Sequence, residues 1–146
     1  MKKSTARSTA REIFVDTSGL YSLIDRRDAH HVAARDIVVA ALRGGRRLVV
    51  TDYVVCETVN LANARGGFAL GEKVLELIET SAGIRVEWIG PERFAATRLL
   101  FRKHADHRYS FTDCTSFIVM HELKLGQALT HDRHFIEAGF QALIAR

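Results

Sequence analysis

The chain has 146 residues, 47% hydrophobic and 26% charged, a length and balance that fit one soluble globular domain with a real core. No apolar run approaches the roughly 18 residues of a membrane span, and the basic start MKKSTARSTARE lacks the apolar stretch of a secretory signal. The formal net charge is +4 and 16 of the 21 basic residues are Arg, the side chain that forks onto phosphate, so a nucleic-acid partner is permitted but not required.

Residues 1–12 read as a flexible basic tail and residues 13–146 as a single domain. Ile13 to Val15 form a short buried strand, and a helix follows around Ser18 to Arg26 with Leu20, Leu23 and Ile24 on one face. A second helix, His31 to Arg43, closes on a basic last turn and the pair Gly44-Gly45. RLVVT, Arg47 to Thr51, is a second strand. A helix from about Asp52 to Ala64 stops at Gly66-Gly67, and Phe68 to Thr80 is amphipathic again. Ile84, Val86 and Trp88 alternate with Arg85 and Glu87, as in a strand with one drier face. Pro91 opens a helix running to about His104. The polar segment ADHRYS leads into a helix from about Thr112 to Leu123. QALT and QALI read as two last short strands around a one-turn helix near His134 to Ala138. Strands alternating with helices, without repeat or linker, predict an α/β fold with a parallel sheet covered on both faces. Cys56 and Cys114 lie in apolar helical patterns and read as small buried hydrophobes in a reducing cytoplasm.

Four carboxylates stand in awkward places. Asp16 ends the first strand, and ligands in open α/β sheets bind beyond the carboxyl ends of strands. It could equally cap the next helix, a task Ser18 could share. Glu57 has Val54, Thr58 and Leu61 around it on the helical net and reads as inward-facing, although acids near helix starts are also favoured by the macrodipole. Asp113 fits a capping box with Ser110, yet shares a face with Ser116, Phe117 and Met120. Asp132 follows ALT and could be a turn acid or N-cap. In a parallel sheet these strand ends and helix starts converge on one edge. Two carboxylates about 4 Å apart repel by roughly 4 kcal/mol at an effective dielectric near 20, so such a cluster takes up protons or a divalent cation. Oxygen donors without an obligatory His or Cys select Mg²⁺ or Mn²⁺ over Zn²⁺.

The segments VDTSGL, TDYVVCETVNLA, SFTDCTSFIVM and ALTHDRHFIEAGF, in that order, resemble the four signature segments of PIN-domain ribonucleases, in particular VapC-type toxins of toxin–antitoxin pairs. The resemblance runs from Ile13 onward. It implies a three-layer α/β/α sandwich around a mostly parallel sheet and a Mg²⁺- or Mn²⁺-dependent endoribonuclease. Asp16, Glu57, Asp113 and Asp132 would form its acidic quartet, with Asp16 and Asp113 as direct metal ligands. Glu57 and Asp132 would complete the site through the metal, a second metal or water. Ser18 and Thr130 match hydroxyl positions that would orient the carboxylates. Family members form homodimers and are held inactive by a small antitoxin whose C-terminal segment crosses the acidic groove. The tail before Ile13 is longer than in many relatives.

Three alternatives remain at this level. HADH (His104 to His107) and HDRH (His131 to His134) have a spacing that could suit Zn²⁺ in a hydrolase, although His-rich polar loops are commonly solvated or touch RNA phosphates. Asp16 could be a phosphoacceptor, which leaves Glu57 without a task. The acids could simply cap helices in a non-catalytic RNA-binding module. Among the basic clusters Arg26-Arg27, Arg43 to Arg47 and Arg102 to Arg108, the last lies just before Asp113, which makes Arg102 and Arg108 the RNA contacts to test.

Overall fold

The computed structural model describes residues 11–145, so the tail expected at residues 1–12 falls, up to residue 10, outside the described residues. Five strands form one sheet: β1 (Glu12–Val15), β2 (Arg47–Thr51), β3 (Ile84–Glu87), β4 (Gln127–Leu129) and β5 (Gln141–Ala142). Their order is β3-β2-β1-β4-β5, and every pairing is parallel. Ile13, Phe14 and Val15 are buried, as are Leu48, Val49 and Val50, the continuous apolar reading of strands covered on both faces.

The coverings are helices α1 (Thr17–Ile24), α2 (His31–Arg43), α3 (Asp52–Gly66), α4 (Phe68–Thr80), α5 (Gly90–Lys103), α6 (Phe111–Leu123) and the one-turn α7 (Arg133–Glu137). The chain steps outward from β1 through β2 to β3, then returns to β4 and β5 on the other side of β1. Right-handed crossovers therefore put α1 to α4 on one face and α5 to α7 on the other. In keeping with that, α1 packs on α2 and α3, α3 on α4, and α5 on α6. This is the three-layer α/β/α arrangement, with a wholly parallel sheet. No helix among the described residues is long and apolar enough to cross a membrane.

Two expectations are corrected. Cys114 is buried, but Cys56 is exposed, because it lies on the outer face of α3. Strand β3 has no dry face: all four residues are half-buried at the sheet edge, and Trp88 lies beyond the strand, 70% exposed. Arg85 of β3 instead anchors an ion-pair chain, bonding Glu12 and Glu87, with Arg93 joining Glu87 to Glu122.

Candidate active site

The register of β1 on β4 builds the floor. Val15 pairs with Leu129, so the next residues of the two strands emerge side by side, and the Asp16 N–H donates to Leu129 O at 3.2 Å. The Thr130 hydroxyl donates to Asp16 Oδ2 at 2.8 Å, and the backbone N–H and hydroxyl of Ser18 reach the same oxygen at 3.4 and 3.2 Å. Ser18 Oγ and Thr130 Oγ1 are themselves 3.0 Å apart. Asp16 is thus the N-cap of α1 and a buried acid at once, only 3% exposed. Burial raises its pKa to about 7; the Thr130 hydrogen bond opposes the rise, while the charges of Asp113 and Asp132 add to it.

Asp113 arrives from the start of α6. Its N–H donates to Ser110 Oγ at 2.9 Å and its Oδ2 accepts the Ser110 N–H at 3.0 Å, a complete capping box. Asp132 caps α7, with Oδ1 accepting the His134 N–H at 2.9 Å. The His134 ring stands between the two acids, Nδ1 lying 3.1 Å from Asp113 Oδ2 and 3.5 Å from Asp132 Oδ1. One donor atom from each of Asp113, Asp132 and His134 lies within 4.8 Å of the others. Burial raises the Asp113 pKa too, against the Ser110 hydrogen bond and with the help of the Asp132 charge. Among the described residues, no Lys or Arg forms an ion pair with Asp16, Asp113 or Asp132. Capping occupies Asp113 Oδ2 and Asp132 Oδ1, leaving Asp113 Oδ1 and Asp132 Oδ2 without a hydrogen-bond donor among the described residues.

Glu57 is placed differently from its expected inward pose. It is exposed, and Thr58 takes the buried position, its hydroxyl donating to Val54 O at 2.7 Å. Successive helical residues are turned by about 100°, so a one-position difference separates the dry face from the wet one. Glu57 still borders the site, because the Thr17 hydroxyl beside Asp16 donates to its Oε1 at 2.5 Å. Arg102, in the last turn of α5, and Arg108, two residues before Ser110, are both exposed.

His134, weighed in the sequence only as one end of the zinc-like HDRH pair, lies instead against the acids. It sits two residues after a capping acid, but its contact with Asp113 exists only where α6 and α7 meet, which no local signal gives. The histidines do not converge as a zinc site would require. His131 stacks on His30 at 4.1 Å, and the group within reach of one cation contains two carboxylates and a single imidazole. An oxygen-rich set with unspent carboxylate oxygens and uncompensated negative charge fits a hard divalent cation.

The PIN-domain family profile matches residues 13–141. The chain is 30% identical over 128 residues to the 23S rRNA-specific endonuclease VapC20 of Mycobacterium tuberculosis, found in two strains, covering 88% of this chain and 95% of the relative. The crystal structure of M. tuberculosis VapC20, described as a Sarcin-Ricin loop cleaving toxin, superposes with a TM-score of 0.80 at 30% identity, covering 88% and 95% of the two chains. The match runs from the first residues of β1 to the start of β5 and takes in every element that carries an acid of the site; the chain belongs to the PIN-domain family, among its VapC-type toxins.

Proposed function

We propose that the chain is an endoribonuclease, the toxin of a toxin–antitoxin pair, in which Asp16, Asp113 and Asp132 hold Mg²⁺ or Mn²⁺. The observation that carries this is a buried Asp16, raised to about 7, beside two further acids with no Lys or Arg partner among the described residues. When bound, the cation supplies charge to a phosphodiester oxygen and lowers the pKa of a water. The chain's own residues do the positioning. Ser18 and Thr130 fix one oxygen of Asp16, and Ser110 and His134 fix one oxygen of Asp113. Glu57, held by Thr17, completes the acidic rim through water. Arg102 and Arg108 bind the RNA backbone, and cleavage leaves 5′-phosphate and 3′-hydroxyl ends.

An antitoxin holds the enzyme off by laying a basic side chain across the acids. A second copy of the chain covers the aromatic face of α5, where half-exposed Phe94 and Phe101 pack on Phe111 at 5.3 and 5.7 Å; light scattering on the purified protein should give twice the chain mass.

The test compares induced expression of wild type and Asp16→Asn, with cleavage ends mapped across total RNA. The 23S rRNA named for the M. tuberculosis relative is the first place to look. Growth arrest and new RNA ends from wild type alone are expected. Equal toxicity from both proteins would overturn the reading.

A further inference from the structure

Beside the acidic site lies a second concavity that the proposed chemistry does not use. It holds about 200 Å³ and is lined by His104, His107, Tyr109, Phe117, His121 and Glu137, among others. One ring separates it from the acids. Tyr109 packs edge-on against His134 at 5.5 Å, and His134 lies 3.1 Å from Asp113. Along α6, Asp113, Phe117 and His121 follow at four-residue steps, so the α6 side of the cavity begins about 6 Å from Asp113 and ends about 12 Å from it along the helix axis. That is the reach of the neighbouring nucleotide.

The lining has the chemistry of a base pocket. Tyr109 sits against Phe117 at 5.1 Å, and His107 stacks on Tyr109 at 4.7 Å with His104 edge-on beside it at 5.1 Å. Aromatic and imidazole rings of this kind hold unstacked bases by their faces. Two polar groups line the same wall, the Tyr109 hydroxyl and the solvent-exposed Glu137 carboxylate, and both are open to a ligand from the cavity. The phenol pKa is raised, first by burial and then by the Glu137 charge, which keeps the hydroxyl a donor. Basic side chains outnumber the acids Asp106 and Glu137 around the loop. Arg102, Lys103 and Arg108 flank the loop that carries His104 and His107, and all three are exposed. A metal is the poorer occupant, because the described residues bring donor atoms of three ligands within 4.8 Å of one another only at Asp113, Asp132 and His134.

A carboxylate offers two acceptors and no donor. Among the bases, guanine alone presents two adjacent N–H donors, N1–H and the N2 amine, on its pairing edge. We propose that this cavity receives an unpaired guanine next to the cleaved bond, stacked on the imidazoles and read along its pairing edge by Glu137. The inference rests on the endoribonuclease reading for its substrate, but its test does not.

The experiment titrates the labelled full-length chain with GMP, AMP, CMP and UMP in turn, without divalent cation, and follows the ring signals of His104, His107 and His121 by NMR. GMP is expected to shift these signals and to bind about tenfold more tightly than AMP, the size of a hydrogen bond to a charged group. Glu137→Gln replaces one acceptor with a donor, which matches adenine better than guanine. The preference should then move to AMP. Tyr109→Phe keeps the ring and should retain the GMP preference with weaker binding. Equal shifts from all four nucleotides would mean phosphate binding by the arginines alone and would overturn the proposal, as would a GMP preference unchanged in Glu137→Gln. RNA cleavage run in parallel separates the two readings. Cleavage without guanine selectivity sinks the subsite alone, whereas guanine selectivity without metal-dependent cleavage supports the subsite and sinks the nuclease.

Discussion

Asp16 does two jobs that pull its ionisation in opposite directions. As an N-cap it is favoured charged, while burial and the two neighbouring acids favour the protonated form, and burial wins. The folded pKa of about 7 lies above the ordinary value of 3.8, so the folded chain binds this proton more tightly than the unfolded one. Its contribution to stability is complete below about pH 4 and is lost as pH rises through 7, by up to about 4 kcal/mol. Asp16→Asn should therefore melt higher than wild type at pH 8 without divalent cation, and the two should converge near pH 4. Added Mg²⁺ should raise the wild-type melting temperature at pH 8 and leave the variant unmoved. Parallel pH profiles for the two proteins would refute the burial account. His134 acts by holding Asp113 and Asp132 in place. His134→Ala should lower apparent metal affinity about tenfold or more, read from Mn²⁺ titrations of cleavage, and should leave the melting curve close to wild type.

At the scale of elements, the acids are where helices begin. Asp16, Asp113 and Asp132 cap or box α1, α6 and α7, so the capping account of each holds, and it is compatible with the proposed metal-binding role. Capping takes one oxygen of a carboxylate and leaves the other available. Where α1 meets β4, a Cβ on Gly19 would collide with the backbone carbonyl of Leu129. Backbone sits on both sides of that contact, so neither partner can yield cheaply. Gly19→Ala should cost about 3 kcal/mol or more, measured as a shift in urea midpoint. Because this contact also seats Asp16 beside Thr130, cleavage should fall even under conditions where the variant remains folded.

Over the whole molecule, the site falls where the chain changes direction across the sheet, between β1 and β4. Strands there diverge into loops on opposite faces and leave a crevice at their carboxyl ends. The formal net charge of +4 is a property of the whole chain and is compatible with an RNA partner. Arg102 and Arg108, in the segment leading to Asp113, are exposed and form no ion pair among the described residues. Replacing both with Ala should weaken RNA binding and flatten the plot of log affinity against log salt by about 1.5, two phosphate contacts' worth. An unchanged slope would place the RNA backbone elsewhere.

The alternation of strands and helices was legible in the sequence, down to the ends of the helix His31–Arg43, the strand Arg47–Thr51 and the helix Phe68–Thr80. Apolar periodicity and glycine stops are local properties, and they survive folding. The burial of Asp16 and Asp113 was legible for the same reason, since a carboxylate that ends a buried strand or interrupts an apolar face is visible along the chain, and the N-cap reading of Asp132 came from its place after ALT. Glu57 and Cys56 were misplaced because helical phase alone does not say where the packed stripe ends; the neighbours α1 and α4 decide that. Trp88 was misplaced because nothing local says that β3 is an edge. The role of His134 and the cavity beside it are tertiary outright. Both require α6, α7 and the loop before Tyr109 to meet, and contacts between residues distant in sequence are set by packing and register, which no single segment encodes.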